Sequence, residues 1–200
     1  MRSPLAVCGV FATLALFVVS TGCSTVPKKE SDRERLTAGV NATYKGMNAD
    51  DNTLRGVIER SAGYAVFPNV GKGGFIAGAA YGHGQVFDKN GTFLGYSDIT
   101  QGTVGAQAGA QTFDELIIFK DQAALDKFKT GQYALSANYS AVVLKAQKAD
   151  SANFNDGVLV LVRPEGGAMI EASIGGQKFS FVPASQRAAA DDRMVDESNR

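Results

Sequence analysis

Residues 74–87 read GFIAGAAYGHGQVF, a run in which side chains of two sizes alternate with a period of two. Successive side chains of a β-strand point to opposite faces, so one face of this strand is mostly glycine and alanine. Glycine weakens a strand, so this much of it needs a physical reason. We expect close packing by a helix or a tightly curved barrel wall, because close approach accounts for small residues on both faces. A ligand groove lined by exposed backbone is the functional alternative.

The residues that follow this run extend it into a sheet. Residues 88–92, DKNGT, predict a tight hairpin turn because Asn and Gly tolerate the positive φ that such a turn requires. We expect three further strands, over residues 92–99, 102–111 and 116–119.

The residues before the run contain a possible turn. A short strand over residues 65–67 is expected to stop at Pro68. Residues 71–74 read GKGG, but a P-loop or a dinucleotide fingerprint leads into a helix, whereas these glycines open a strand. We therefore predict a turn, with Lys72 at its tip, either solvated or in contact with an anionic group.

Helical periodicity flanks the sheet on both sides. Ser31 and Glu34 fit a capping box for a first helix. Its apolar stripe, spaced by 4, 4 and 3 residues, is Leu36, Val40, Tyr44 and Met47. A second, short helix is capped by Asp51 or Asn52 and buries Leu54, Val57 and Ile58. A third is capped by Asp121 and buries Ala124, Leu125 and Phe128. Later strands are expected over residues 133–143, 158–162, 168–174 and 179–182.

Together these patterns predict an α+β fold. Its main part is a predominantly antiparallel, glycine-rich sheet, sandwich-like or barrel-like, with N-terminal helices and one or two packed helices. A chain of 200 residues, 44% of them hydrophobic, suffices for one sizeable core and is not disordered over most of its length. We assign residues 31–183 to a single domain and residues 184–200 to a polar tail that is a frayed helix or disordered.

The N-terminus is typical of an exported bacterial lipoprotein. Arg2 precedes an apolar stretch over residues 5–19, which is typical of a signal peptide. The ending Ser-Thr-Gly-Cys resembles a lipobox, although Ser20 stands where that motif usually has leucine. We predict a signal peptide over residues 1–22, acyl chains on Cys23 and a tether over residues 23–30. Cleavage without lipidation and a retained transmembrane anchor are the alternatives. Ser24, in place of the aspartate of an inner-membrane signal, favours the outer membrane.

Charge and residue usage exclude several classes of protein. Twenty basic and 20 acidic residues give no net charge, which argues against a nucleic-acid binder. Cys8 leaves with the signal peptide, so the mature chain has one cysteine and cannot form an internal disulfide or a cysteine metal cluster. His83 is the only histidine and has no partner nearby in sequence. We therefore expect no catalytic site, metal site or cofactor. Asp114 and Glu115 are interpreted as strand-edge charges.

Four segments resemble the SYLF domain, a lipid-binding module also called the yeast actin-regulator domain. They are GYAVFP at 63–68, GGFIAG at 73–78, GAQAGAQTFDELIIF at 105–119 and ALDKF at 124–128. The resemblance covers about residues 50–182. It implies a globular α+β module that binds membrane lipids, with no enzymatic activity and no cofactor.

The resemblance also implies a place for lipid contact, because eukaryotic members use a basic helix at the N-terminal edge. The positions that correspond here are Lys28, Lys29, Arg33, Arg35 and Lys45, and Lys72 is a further candidate. Acidic residues interleave with them, so a solvated, charge-paired helix face is favoured over a headgroup patch.

We expect an envelope lipoprotein that binds membrane lipids and is not catalytic. Anionic phospholipids are the candidate ligands. The alternative is a structural or protein-interaction module with an envelope partner. Actin and nucleic acid are not expected partners.

Overall fold

The computed structural model of the chain describes residues 26–74, 77–104, 110–135, 139–144, 148–165, 173–174 and 176–186. The predicted signal peptide, the lipid-attachment residue Cys23 and most of the polar tail lie outside the described residues, as does most of the strand predicted over 168–174.

Helices come at the beginning and in the middle of the described chain: α1 (Glu30–Asp50), α2 (Leu54–Glu59) and α3 (Gln122–Lys129). A 3-10 turn covers Ala149–Ser151. The long strands are β1 (Gly63–Gly74), β2 (Ala77–Asp88), β3 (Phe93–Val104) and β4 (Ala110–Phe119). The shorter strands are β5 (Tyr133–Leu135), β6 (Tyr139–Ser140), β7 (Val142–Val143), β8 (Val158–Pro164), β9 (Ser173–Ile174), β10 (Gln177–Phe179) and β11 (Val182–Pro183).

One curled sheet dominates the fold. Its strands follow the order β5-β10-β3-β2-β1-β4-β8-β7, with β11 also paired to β3, while β6 and β9 form a separate ribbon. Neighbours in the large sheet are antiparallel except β7 and β8. The predicted α+β class with a predominantly antiparallel sheet is therefore confirmed.

The sheet buries apolar side chains on both faces. The face that we call the inner face carries the larger cluster, which includes Phe67, Ile99, Ile117, Phe119, Phe128 of α3, Tyr133 and Phe179. The opposite face, the outer face, packs under α1 and α2 through Tyr64, Val66, Leu116, Ile118, Leu159 and Leu161. The apolar residues predicted for the first two helices lie in or against this second cluster, which confirms those helices.

Glycines of β2 permit this packing. A Cβ on Gly82 would lie 2.9 Å from Cγ2 of Val70, and one on Gly84 would lie 2.6 Å from the carbonyl oxygen of Val66. Close approach therefore explains the glycines on the inner face. The same explanation is wrong for Gly73 and Gly102, which are exposed and have no atom of the described residues within 4 Å of the position that a Cβ would occupy.

The first strand does not stop at Pro68. β1 passes through that residue to Gly74, and its register with β4 shifts between Phe67 and Val70, where Asn69 has a φ of 51°. A bulge can accept proline, which has no backbone N–H, because a residue in a bulge need not donate a hydrogen bond to the neighbouring strand. Residues 71–74 thus belong to a strand, and the predicted turn there is wrong.

Several other boundaries differ from the sequence prediction. α1 begins at Glu30, after Lys29, and no side chain caps it, so the capping box is wrong. Of the strand predicted over 102–111, residues 102–104 complete β3 and residues 110 and 111 begin β4, whereas residues 105–109 lie outside the described residues. The strand predicted over 133–143 is divided among β5, β6 and β7.

Two predicted end signals are confirmed. Residues 88–92 connect β2 and β3, with Gly91 at a φ of 84°. The carboxylate of Asp121 accepts a hydrogen bond of 3.0 Å from the amide of Ala124 and caps α3.

A buried carboxylate in the sheet, paired with an arginine of the neighbouring strand, holds α1 through a hydrogen bond. Asp114 lies within β4 and is 1% exposed, so its interpretation as an edge charge is wrong. It accepts hydrogen bonds from Thr43 of α1 at 3.0 Å, from the amide of Asn69 at 3.0 Å and from Nε of Arg163 at 3.0 Å. The same carboxylate also pairs with Nη2 of Arg163. Three separate parts of the chain converge on this one side chain.

Candidate functional site

A cleft of about 450 Å³ opens between the N-terminal end of α1 and the outer face of β2. The residues before α1 and in its first turns form one wall: Val26, Pro27, Lys28, Asp32 and Leu36. Tyr81 and His83 form the other wall, because both point to the outer face of β2 in the alternation described above. The cleft thus joins apolar surface to a few polar groups, as small-molecule sites commonly do.

His83 is held by a carboxylate from the neighbouring strand. Asp98 of β3 is the register partner of His83, and its Oδ1 lies 2.6 Å from Nδ1 of the imidazole. The Asp98 side chain is 8% exposed, whereas that of His83 is 39% exposed. The hydroxyl of Tyr81 lies 3.4 Å from Nε2 of His83 and donates to Oδ2 of Asp98 at 3.3 Å. The imidazole is therefore anchored at Nδ1, with Nε2 on the cleft side.

The hydrogen bond to Asp98 raises the pKa of His83 above its usual value of 6.5, with a smaller contribution from the charge of Asp98, and partial burial opposes the increase. Protonated His83 donates to Asp98 through Nδ1 and carries a second N–H at Nε2, 3.4 Å from the hydroxyl of Tyr81. Because the pKa in the folded protein is raised, the stability that this pair contributes is fully present below pH 6.5 and is lost as pH rises through the folded pKa.

This assignment predicts an NMR titration. As the only histidine, His83 gives one imidazole signal, and we expect its midpoint above 6.5 in the wild type and lower in Asp98→Asn. Tyr81→Phe is the matched control, because it keeps the Asp98 bond and should shift the midpoint less. An equal midpoint in wild type and Asp98→Asn would contradict the assignment.

The predicted basic residues divide into two groups. Arg33 pairs with Glu30, and Arg35 pairs with Asp32, each three residues apart on α1. This pairing confirms the favoured interpretation of a charge-paired helix face. In contrast, Lys28, Lys29 and Lys45 are exposed. Lys28 also lines the cleft.

Lys72 is not at the tip of a turn. It lies within β1 and is only 8% exposed. It follows Val70 by two residues and so shares the inner face, away from the cleft. Its predicted solvation is therefore wrong, and the structure does not bring it together with Lys28 and Lys29.

A second, smaller groove of about 200 Å³ was not anticipated. It is lined by Val57, Arg60, Lys120, Ala149, Asp150, Ala152 and Phe154. Its two cations come from the residue after α2 and from the residue after β4, which are separate in sequence and meet only in the fold.

The pairing of Asp98 with His83 was not predicted from the sequence, because the register of the hairpin shifts by one residue. The hairpin pairs Phe87 with Phe93, and an irregularity between Val86 and Phe87 moves every later pair by one position. A regular ladder from the predicted turn would place Ser97, and not Asp98, opposite His83. The acidic partner therefore could not be found from the turn alone.

The chemistry of the cleft includes one pair of groups that can exchange a proton. His83 lines the cleft, and the Asp98–His83 pair could accept or donate a proton there. Among the described part of the chain, no group of three or more His, Cys, Asp or Glu residues could hold a metal ion. The described helices include none that is both long enough and apolar enough to cross a membrane.

Comparison with known proteins gives one similarity of note. No family model matches the chain. Over 123 residues the chain is 24% identical to Beta cell expansion factor A of Aeromonas veronii. The match covers 62% of this chain and 47% of that protein, so the chain spans about half the length of this relative. The similarity by itself assigns no activity to this chain.

Proposed function

We propose that this chain is a SYLF-domain lipoprotein of the bacterial envelope, whose folded domain binds membrane lipids and catalyses no reaction. The observation that carries the proposal is the cleft at the start of α1, where exposed Lys28 adjoins apolar Val26, Pro27 and Leu36 and the imidazole of His83. An amphiphile with an anionic headgroup matches this combination of groups.

The position of the cleft near the predicted anchor supports the proposal. Lys28 is five residues after Cys23. An extended chain spans at most about 3.5 Å per residue, so acyl chains on Cys23 would keep Lys28 within about 17 Å of the membrane surface. This tether is short enough for Lys28 and Lys29 to reach the region, about 8 Å deep at physiological salt, in which anionic lipids attract basic residues.

Vesicle flotation tests the proposal. The soluble Cys23→Ser form without the signal peptide should float with vesicles that contain phosphatidylglycerol and less with phosphatidylcholine alone. Each basic residue near an anionic surface contributes about 1 kcal/mol, so Lys28→Glu with Lys29→Glu should weaken binding at least about thirtyfold.

The matched control is Lys89→Glu with Lys120→Glu, which changes the net charge equally. Both lysines are exposed, and Lys89 lies in the β2–β3 turn, six residues from His83. This control should retain most of the binding. If the soluble form binds neither kind of vesicle, the proposal of lipid binding is contradicted.

That last result would favour the alternative, a protein-interaction module. The feature that supports the alternative is a part of the outer face that the described residues leave exposed. There, none of their atoms lies within 4 Å of a methyl position on Gly73 or Gly102, and Tyr81 is 38% exposed. A partner from the envelope could cover this smooth surface.

A further inference from the structure

A carboxyl group is buried on the inner face, and the described residues provide no counter-ion for it. Glu115 of β4 and Gln177 of β10 are both 0% exposed, and Gln101 of β3 is 5% exposed. Glu115 shares its face with Phe113 and Ile117, which belong to the inner cluster. Its interpretation as an edge charge is therefore wrong.

The contact between Glu115 and Gln177 crosses the space on the inner face that the curled sheet encloses. Strands β3, β2 and β1 separate β10 from β4 in the hydrogen-bonded order. The two side chains nevertheless meet, with Nε2 of Gln177 donating to Oε2 of Glu115 at 2.8 Å. This bond fastens a strand from the C-terminal part of the chain to the far side of the curl.

The remaining polar atoms of the pair lack partners. Within the described residues, Oε1 of Glu115 and Oε1 of Gln177 are buried and make no hydrogen bond. Both atoms are acceptors when the carboxyl group is ionised, so neither can satisfy the other. A single proton on Glu115 changes this. The acid O–H can donate to the amide oxygen while the amide N–H donates to the other acid oxygen, which satisfies both atoms.

No neighbouring charge replaces that proton. The titratable side chains of the described residues that share the inner face are Lys72 of β1 and Tyr133 of β5. Lys72 makes no ion pair with Glu115 within 4.0 Å, since the ion pairs of the described residues do not include it. Burial raises the pKa of Tyr133 to about 12, so it stays neutral. Gln101 and Gln177, from β3 and β10, carry no charge, and Val162 faces Glu115 from β8.

We propose that Glu115 carries a proton in the folded protein, and that its acid–amide pair with Gln177 is a proton-dependent latch that holds β10 against β4. Loss of the proton leaves a buried carboxylate with one hydrogen bond and loosens β10. The proposal is independent of lipid binding.

The pH dependence follows from the burial of the group. Burial raises the pKa of Glu115 from 4.5 to about 8, and the hydrogen bond from Gln177 partly opposes the increase. The unfolded chain loses this proton near pH 4.5, whereas the folded chain keeps it until about pH 8. The stability that the bound proton contributes is therefore fully present below pH 4.5 and is lost as pH rises towards 8. Over this range the unfolding constant increases about tenfold per pH unit.

The test compares the wild type with Glu115→Gln in the full chain, purified in detergent. The variant keeps the shape and replaces the acid O–H by an amide N–H that does not titrate. The ratio of the wild-type unfolding constant to that of the variant should rise close to tenfold per pH unit between pH 5 and 7. A constant ratio would overturn the proposal.

A direct measurement in the wild type does not depend on how the variant folds. The side-chain carboxyl ¹³C signal of Glu115 should be that of a protonated acid at pH 6, and it should remain so in Lys72→Met. A carboxylate signal at pH 6 overturns the proposal. If Lys72→Met then changes that signal to that of the protonated acid, Lys72 is the counter-ion of Glu115.

Hydrogen exchange tests the latch itself. The ratio of the exchange rates of the amides of residues 177–179 in the wild type to those in Glu115→Gln should be lowest at pH 4.5 and should rise with pH up to about pH 8. A ratio that does not change with pH would overturn the role of the pair in holding β10.

Discussion

Replacing Arg163 by methionine should lower the free energy of unfolding by about 3 kcal/mol. Removal of one partner of a buried ion pair leaves an uncompensated charge, which costs about 3–5 kcal/mol. We expect the lower end of that range, because the Arg163 side chain is 26% exposed and water can partly solvate the carboxylate that it leaves. Asp114, at 1% exposure, would keep its bonds from Thr43 and Asn69 but lose both of those from the guanidinium.

Urea unfolding of the soluble form measures this effect. The matched control is Arg55→Met, because Arg55 pairs with Glu59 at 3.5 Å on the surface of α2, with both side chains more than 60% exposed. Exposed pairs of this kind contribute about 0.3–0.5 kcal/mol. Similar losses for Arg163→Met and Arg55→Met would show that the Asp114 pair does not fix α1 to the sheet.

The same ion pair can be disturbed from the helix side. A Cβ on Gly46 would lie 2.8 Å from Cζ of Arg163 and closer still to Nη1. Gly→Ala within a helix normally stabilises by about 0.5–1 kcal/mol. Gly46→Ala should instead destabilise, whereas Gly56→Ala in α2, where only the end of the exposed Arg60 side chain lies nearby, should show the usual gain.

Replacing Gly84 by alanine should cost about 2–3 kcal/mol. The new methyl group would lie 2.6 Å from the carbonyl oxygen of Val66 and 2.7 Å from Cε1 of Phe67. Phe67 is fully buried and the oxygen belongs to the backbone, so neither can move aside easily. Overpacking of this kind costs about 1–3 kcal/mol, and a backbone clash lies at the upper end.

Gly102→Ala is the control for this prediction. Gly102 also lies in a long strand, but nothing is within 4 Å of the position that its new methyl group would take. Its replacement should leave stability unchanged or raise it by up to about 1 kcal/mol, since alanine has less freedom in the unfolded chain. Equal losses at Gly84 and Gly102 would show that the inner face does not require glycine. Thermal and urea unfolding both report the difference.

Local pattern was enough to predict three features of this fold. The period of two around His83, the turn at Gly91 and the stripe on α1 each depend on neighbours within a few residues, and the structure contains all of them. The class of the fold follows from such local signals.

Contacts that depend on register could not be predicted. The bulge at Pro68 and Asn69 and the shift at Val86 each move a strand by one position, which changes the side chain that faces a given partner. For this reason the sequence did not predict Asp98 as the partner of His83. The meeting of Glu115 and Gln177 depends instead on the curl of the whole sheet, which no local pattern encodes.

The candidate lipid-binding residues were predicted by resemblance and only partly brought together by the fold. Lys28 adjoins the cleft, whereas the guanidinium groups of Arg33 and Arg35 are engaged by acidic side chains on the same helix. The spacing of three residues between opposite charges was visible in the sequence, and it favoured intrahelical pairing from the outset.

The large sheet ends on both sides in very short strands. β5 has three residues and β7 has two, and these are the outermost strands of the order. Each offers few free amide and carbonyl groups to a strand from another molecule. Copies of this chain at high local concentration would therefore have little opportunity to join edge to edge into fibrils.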